Sequence, residues 1–579
     1  MLLDAKWIAV IKQMDRGIIM ETIKQYLELL RKEGLVVSDC LYGCEERIIR
    51  QMTYASGDVG EDTLFLCKGA AFKKEYLEEA LEKGAVAYVS EQYYETGREV
   101  PCILVSSMRK AMPVLAKVFY RQPDEQLLLT GVTGTKGKTT TVYYIRGILD
   151  AYLKAAGERA SGMISTIETY DGVSCEESKL TTPESMELFR HFRNAADTGI
   201  HHMTLEVSSQ ALKYQRVRKL RFDVGVFLNI SEDHISPAEH EDFEDYFSAK
   251  LSLFKQTKTA CVNLDSDYAE RILAAARMSG KVITFGTKGR PDILGKNICI
   301  KNGKISFDAV CKDFEQHFTL DMHGMFNVEN ALAAIAAAYA MGIPADYMVE
   351  GLEKTRVSGR MEEFASADGK LHAIVDFAHN RLSFERLFDS VMTEYPGWRI
   401  RTVFGCPGGK ALNRRRDLGL IAGLFSEKVY LTADDPGRES PADIAEEIGN
   451  YLEVVGCPYT YIEDRGQAIL QAIREMPEKT VLLVLGKGNE TRQKYGSISC
   501  KCPADAEFVR LGIREYDRRS ILLESLHHGI DLPAEELTVL KPAIRITERI
   551  QVARRPVFMG TKYFWPRFLF RISIRKERG

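Results

Sequence analysis

Several features are missing from this sequence, and each absence excludes something. Charge of one sign is missing: 78 Lys and Arg face 81 Asp and Glu, a net charge of −3. No global basic field therefore points to nucleic acid or to an anionic membrane. Met1 to Met20 holds no long apolar core followed by a small-residue cleavage site, which predicts an unsecreted, cytoplasmic chain. The longest apolar stretch, Ala331 to Met341, is 11 residues, and a bilayer span needs about 20. It reads as a buried helix, Ala-rich so that neighbours pack close, and no integral membrane span is expected. The 12 cysteines lack paired CxxC spacing. Cys40 and Cys44 or Cys500 and Cys502 have no second half elsewhere, so reduced thiols are expected rather than a zinc site. There is no internal repeat and no low-complexity linker.

What remains is the balance of an ordinary globular protein, 45% apolar and 27% charged over 579 residues. That length has room for three to four domains at about 150 residues each. Residues 20–35 place Ile23, Tyr26, Leu27 and Leu30 on one helical face and stop at Gly34. Residues 1–19 have no clear role, and Met20 is a candidate start. Strand-like runs (TLFLCK, AVAYVS, CILVSS) then alternate with a helix-like stretch around Glu75 to Lys83. Alternation continues through HMTLEVSS (202–209) and FDVGVFLNIS (222–231), and again through HAIVDFAH, IRTVFGC, KVYLTAD and VLLVLGKG between 372 and 488. The fold class is α/β with mostly parallel sheet. Motif order predicts boundaries at 20–122, 123–355 and 356–519, with an extra tail at 520–579 that ends in mixed aromatics and Arg or Lys.

Between a strand and a helix stands Gly131-Val-Thr-Gly134-Thr135-Lys136-Gly137-Lys138-Thr139-Thr140. Glycines let backbone N–H groups turn inward around phosphate oxygens, the helix N-terminus adds partial positive charge and Lys138 a full one, and Thr139 offers a hydroxyl to Mg²⁺. The general pattern places glycine six residues before the lysine, where this chain has Val132. Nucleoside triphosphate binding, with ATP and Mg²⁺ as cofactors, is the expectation.

The shortened loop GTKGKT resembles that of the Mur ligase family, and further motifs follow in family order: LTTPES (180–185), LEVSSQAL (205–212), NISEDH (229–234) with YFSAK ending at Lys250, HGMFNVENALAA (323–334), VSGRMEEF (357–364), VDFAHN (375–380), GCPGGKALNRRRDLG (405–419), TADDP (432–436), DRGQAI (464–469) and GKGNE (486–490). The resemblance covers residues 20 to about 515 and is strongest to the family's UDP-N-acetylmuramoyl-tripeptide synthetase branch. It implies an N-terminal UDP-binding domain, a central P-loop ATPase domain and a Rossmann-like C-terminal domain. It also implies a monomer acting on a UDP-N-acetylmuramoyl-dipeptide and a free amino acid, in which ATP turns the peptide carboxylate into an acyl phosphate that an amine attacks.

Residue by residue, the resemblance makes Glu206, His234 and a carbamylated Lys250 metal ligands beside Thr139. Read alone, Glu206 is a carboxylate at the C-terminal edge of a parallel strand beside a phosphate loop, a Mg²⁺ ligand or else a strand-end surface charge, while His234 is a structural histidine and Lys250 a solvated helix lysine. Asn327 and Asn330 would contact the adenine side, or else cap the Ala-rich helix, and Asp376 and His379 would reach the nucleotide from the third domain. Thr181, Thr182, Ser208 and Arg216 match positions that hold the UDP-peptide. Ser56 matches a serine in a motif that usually reads Asp-Ser-Arg, from which Ala55 and Gly57 depart, and Tyr214 replaces a glutamine of some relatives. Arg415 and Glu490 would hold the amino acid's common end, although Asn489 replaces the usual histidine. At Asp434-Asp435-Pro436-Gly437, diaminopimelate-adding relatives resemble Asp-Asn-Pro-Arg, whose Arg grips a second carboxylate. Asp435 and Gly437 are closer to the lysine-adding branch; Arg438 keeps diaminopimelate open, and another diamine or a non-catalytic paralogue remain alternatives. A folate-type ligase would lack the N-terminal domain and TTPES, and a P-loop motor would lack the third-domain motifs.

Overall fold

The computed structural model describes residues 21–69, 72–233, 235, 239–301, 304–409, 412–496 and 498–527. His234 therefore lies outside the described residues, as do residues 1–20 and the tail beyond 527. The described residues form two compact units, one ending at 321 and resuming over 326–355, the other made of 322–325 and the described residues from 356 on.

The first unit opens with a helix, Ile23–Lys32, capped by Thr22 in a reciprocal box with Gln25, a cap worth about 1 kcal/mol. Its buried face is the predicted one, Ile23, Tyr26, Leu27 and Leu30. Strands β1 (Val36–Cys40), β2 (Gln51–Thr53), β3 (Thr63–Leu66), β4 (Ala85–Ser90) and β5 (Cys102–Val105) form a sheet ordered β1-β5-β4-β3-β2, parallel except at β1. The second sheet holds β6 (Leu128–Thr133), β7 (Gly162–Ile164), β8 (Glu168–Tyr170), β9 (Cys175–Glu177), β10 (His202–Glu206), β11 (Phe222–Phe227), β12 (Thr257–Asn263), β13 (Lys281–Gly286), β14 (Ile293–Lys301), β15 (Lys304–Val310) and β16 (Glu315–Leu320). Its order is β16-β15-β14-β13-β12-β11-β6-β10-β7-β8-β9, parallel from β14 to β7 with antiparallel strands at both ends. One continuous core joins the two sheets: Leu27, Leu30, Val105 and Leu115 pack with Leu129, Phe189, Leu205 and Phe222.

The chain leaves β6 toward β7 on one side and leaves β11 toward β12 on the other, so strand order reverses at these neighbours. Crevices outside the carboxyl ends of strands at such a switch point are where open α/β sheets bind ligands. The Ala-rich run is the buried helix Asn327–Ala340, as predicted from its composition.

The second unit contains β17 (Glu362–Ala365), β18 (Leu371–Asp376), β19 (Arg399–Phe404), β20 (Lys428–Leu431), β21 (Tyr459–Tyr461) and β22 (Thr480–Leu485) in the order β17-β18-β22-β19-β20-β21, antiparallel only at β17. A hairpin of β23 (Arg492–Tyr495) and β24 (Ile498–Lys501) follows. All three α/β blocks are thus mostly parallel, the class expected from alternation. His323 belongs to this unit, with Nδ1 2.8 Å from Glu394 and Nε2 against Glu363. The last helix, Asp505–His527, runs across residue 520, where the tail was expected to begin. Val509 and Ile513 pack on Ile469 and Ile473, so the helix is anchored before that point.

Candidate functional site

Residues 134–137 turn from β6 into the helix Lys138–Ala156. Gly137 caps that helix at φ +86, and a Cβ there would stand 2.1 Å from Asn330 Oδ1; only glycine fits both the conformation and the contact. The segment after β11 clamps the turn. Thr135 N donates to Asn229 O (3.0 Å), Lys136 N to Asn229 Oδ1 (2.9 Å), Asn229 Nδ2 to Lys136 O (3.1 Å) and Ser231 N to Thr135 Oγ1 (3.1 Å). Lys138 Nζ donates to the carbonyls of Gly134 and Thr135 at 3.0 and 3.2 Å, and Lys136 faces Asp233 at 3.5 Å. Thr140 is buried in the helix's first turn.

Lys250 is not a solvated helix lysine. It is 2% exposed, and its Nζ donates to Gly134 O at 2.9 Å. Burial, reinforced by Lys138 and Lys136 and opposed by Asp233, holds its ammonium well below the usual lysine range. It stands on the helix Phe243–Leu251, whose Tyr246 hydroxyl lies 3.0 Å from Thr135 Oγ1.

On the other side of the turn, Glu206 ends β10 and is buried rather than a surface charge. It accepts from Thr139 Oγ1 at 2.8 Å, and from Thr166 through its amide (2.6 Å) and hydroxyl (3.1 Å). Thr166 Oγ1 is 3.2 Å from Thr181 Oγ1. Thr182 Oγ1 donates to Glu206 O (2.8 Å), accepts from Ser208 N (3.0 Å) and lies 3.3 Å from Ser208 Oγ, which caps the helix Ser209–Lys213. Arg216 reaches Thr182 O at 3.3 Å and Glu184 at 2.8 Å. Glu184 also pairs with Lys68 (2.8 Å), whose ammonium stands 4.5 Å over the Tyr54 ring. Thr139, Glu206, Thr181, Thr182, Ser208 and Arg216 are thus one connected cluster running from the phosphate loop toward the first sheet. Ser56 is not in it: its hydroxyl donates to Glu79 at 2.6 Å and its carbonyl accepts from Lys83.

Asn327 and Asn330 bond each other, Nδ2 of Asn330 donating to Oδ1 of Asn327 at 2.9 Å. The helix N-cap is Phe326, without a side-chain cap, so capping is not what these amides do. Thr166 was missed by the sequence reading; it follows a three-residue strand, and only the pairing of Ile164 with Leu205 brings it to Glu206.

In the second unit Asp376 ends β18, and its carboxylate accepts Met361 N (2.8 Å) and Ala378 N (2.7 Å). His379 Nδ1 donates to Phe377 O at 2.6 Å. Beyond β20 the predicted amino-acid residues gather with two cations that sequence reasoning did not single out. Lys487 is 1% exposed and bonds Asp435 (3.1 Å) and Glu490 (2.9 Å). Arg465 is buried and held by Asp505 at 2.7 Å through two bonds. Burial, with Glu490 and Asp435 adding to it and Arg465 and Lys487 opposing, pushes Asp434 up to about 6. Asp435, at φ +46, also accepts Lys494 N at 2.9 Å. Pro436 is buried, and Gly437 has φ +60. Arg415 is 5% exposed, with Glu439 and Glu447 each at 2.6 Å. Lys487 lies inside GKGNE and Arg465 inside DRGQAI, so both motifs carried the signal.

Two family models match the chain: the Mur ligase middle domain over residues 132–338, and the Mur ligase, glutamate ligase domain over residues 359–488. Among curated relatives, the UDP-N-acetylmuramoyl-L-alanyl-D-glutamate–L-lysine ligase of Streptococcus pneumoniae is 39% identical over 482 residues, 81% of this chain and 95% of its own. The enzyme of that name from Enterococcus faecalis is 37% identical over 480 residues, 81% and 92%. The UDP-N-acetylmuramyl-tripeptide synthetase of Lactobacillus delbrueckii subsp. bulgaricus is 35% identical over 511 residues, 85% and 98%. Among solved structures, a UDP-N-acetylmuramoyl-L-alanyl-D-glutamate–2,6-diaminopimelate ligase superposes with TM-score 0.59 at 22% identity, covering 86% of this chain and 99% of that one. A MurF ligase from Thermotoga maritima in complex with ADP gives 0.56 at 19%, covering 81% and 98%. At these identities the structures speak for the fold alone.

Proposed function

The chain belongs to the Mur ligase family, and from that premise we propose that it is an ATP-dependent ligase adding L-lysine to UDP-N-acetylmuramoyl-L-alanyl-D-glutamate in peptidoglycan precursor synthesis. The observation that carries the reading is the kinship, at 37–39% identity over about four-fifths of the chain, to enzymes named for that reaction.

The chemistry fits the residues. ATP passes its terminal phosphoryl group to the glutamyl carboxylate, giving ADP and an acyl phosphate. The amine of the amino acid then attacks the acyl carbon, the amide bond forms, the amine loses a proton, and inorganic phosphate leaves. Lys138 and the loop amides offset charge on the phosphates. Thr139 and Glu206 are a hard-oxygen pair of the kind Mg²⁺ takes together with phosphate oxygens, and bound there the ion would offset further charge on the phosphoryl group. Among the described residues no group of three or more His, Cys, Asp or Glu forms a closed metal cage. Burial and its lysine neighbours disfavour the charged form of Lys250, and so favour the free electron pair that carbamylation by CO₂ requires. Its carbamate and His234 are the proposed second set of ligands. Asn327, Asn330, Asp376 and His379 are the proposed nucleotide contacts, and Thr181, Thr182, Ser208 and Arg216 the UDP-peptide contacts.

Among the described residues no helix is long and apolar enough to cross a membrane. Phosphate release from ATP, measured with the UDP-dipeptide and a panel of L-lysine, L-ornithine and meso-diaminopimelate, tests the proposal. Release that depends on both the dipeptide and lysine is expected; release equal or greater with diaminopimelate overturns the specificity, and none with any amine overturns the activity.

A further inference from the structure

A buried side-chain relay in the first unit runs through His240, which the ligase reading does not use. The imidazole is fully buried, with Nδ1 2.9 Å from Asp245 Oδ2 and Nε2 3.0 Å from Ser209 Oγ, and its ring stands edge-on to Tyr246 at 5.2 Å. A carboxylate only accepts, so Nδ1 carries a proton toward Asp245, and Nε2 meets the Ser209 hydroxyl. The order Ser–His–Asp is that of a hydrolase triad. Here, however, the serine is 4% exposed, and Asp245 is engaged as well by Lys213 Nζ at 2.6 Å. The relay is a strut, not a nucleophile.

The two ends of the strut matter. Ser209 follows Ser208 at the exit of β10, three residues beyond Glu206. Asp245 lies in the first turn of the helix whose Tyr246 bonds Thr135 and whose Lys250 bonds Gly134. Resting on the ligase reading above, we propose that His240 is a positioning residue. It sets the distance between the strand end that holds the UDP-peptide and the helix that brings Lys250 to the phosphate loop. A shift of about 1 Å between such partners costs on the order of 100-fold in rate.

The test compares His240→Leu, His240→Gln and Ser209→Ala with wild type, following kcat, the KM of each substrate, melting temperature, and hydrogen exchange of segments 208–213 and 243–251. His240→Leu should lower kcat about 10- to 100-fold with KM for lysine unchanged and the protein folded. His240→Gln, which keeps a donor and an acceptor, should recover most of the loss, and Ser209→Ala should fall in the same direction by less. A wild-type kcat in His240→Leu overturns the proposal, as does a loss that merely tracks the folded fraction or that glutamine fails to rescue. If wild type turns over no UDP-dipeptide with any amine, the ligase reading fails by itself. Hydrogen exchange then decides: faster exchange in His240→Leu confined to 208–213 and 243–251 supports the strut, and unchanged exchange overturns it.

Discussion

Cationic side chains stand at both proposed sites, but most of them are satisfied in different ways. At the phosphate loop, Lys138 and Lys250 bond main-chain carbonyls. Around Asp434 to Gly437, Lys487, Arg415 and Arg465 are each matched to carboxylates of the chain itself. A carbonyl dipole holds an ammonium less tightly than a carboxylate does, so arriving phosphate oxygens can displace the carbonyls that hold Lys138. The second site has already neutralised most of its charge, and it can select a zwitterion only by which ion pair the newcomer loosens. Binding strength belongs to the first arrangement and discrimination to the second.

The strongest way to break that contrast is Lys138→Ala. Removing a cation that serves phosphates and no core should cut phosphate release by about 100- to 1,000-fold or more, with the melting temperature preserved; wild-type-like turnover would remove the loop from the mechanism. Lys250→Ala comes next. It should be nearly inactive, and short-chain carboxylic acids, supplying the missing oxygens, should restore part of the rate. Full activity in the alanine variant would refute a carbamate role.

The third experiment probes the self-neutralised side. Asp435 sits at φ +46, a conformation that Asp and Asn both tolerate, so Asp435→Asn removes charge without strain. It should erode the lysine-over-diaminopimelate ratio by about 2–5 kcal/mol if the pair is desolvated, tens- to thousands-fold in competition assays. Adding Gly437→Arg should push the ratio further, at a stability cost of about 1–2 kcal/mol, because Gly437 has φ +60. If Arg438→Ala instead abolishes use of diaminopimelate by the wild-type sequence, Arg438 is the residue that grips the second carboxylate.

The smallest effect is expected at His323. Burial would lower its imidazole, but hydrogen bonds to Glu363 and Glu394 outweigh burial and push it up to about 10. A folded value above the unfolded one stabilises fully below about pH 6.5, and the benefit fades as pH rises through 10. Denaturation of His323→Gln should show a deficit of about 1–2 kcal/mol at pH 6 that has gone by pH 10.5, allowing for partial solvent screening. A deficit independent of pH would mean the bonds are not ionic.

Much of the loop side was legible in the sequence, because its residues are local: strand, glycine turn, Lys138 and helix lie within 30 positions, and Glu206 closes an apolar run. Lys250 was legible only by resemblance, since nothing in the pattern of Phe243, Tyr246 and Phe247 reveals that the lysine faces inward. The second site was half legible. TADDP and GKGNE were found, but the bond between Asp435 and Lys487 joins residues 52 positions apart. Only the order β22-β19-β20 brings those strand ends together. Arg415 shows the same limit: its motif was visible, its two carboxylate partners were not. Long-range pairing was what the linear pattern lacked.

Gly137 and Asn330 carry an evolutionary consequence. With the carboxamide oxygen filling the space a methyl group would need, position 137 cannot gain a side chain while 330 keeps its amide in place. A lineage that placed alanine in the turn would have to shorten the amide first, and one that enlarged the amide would find the turn already closed to it. Substitution at 137 is therefore expected only where 330 has already shortened, a one-way dependence imposed by one missing carbon atom.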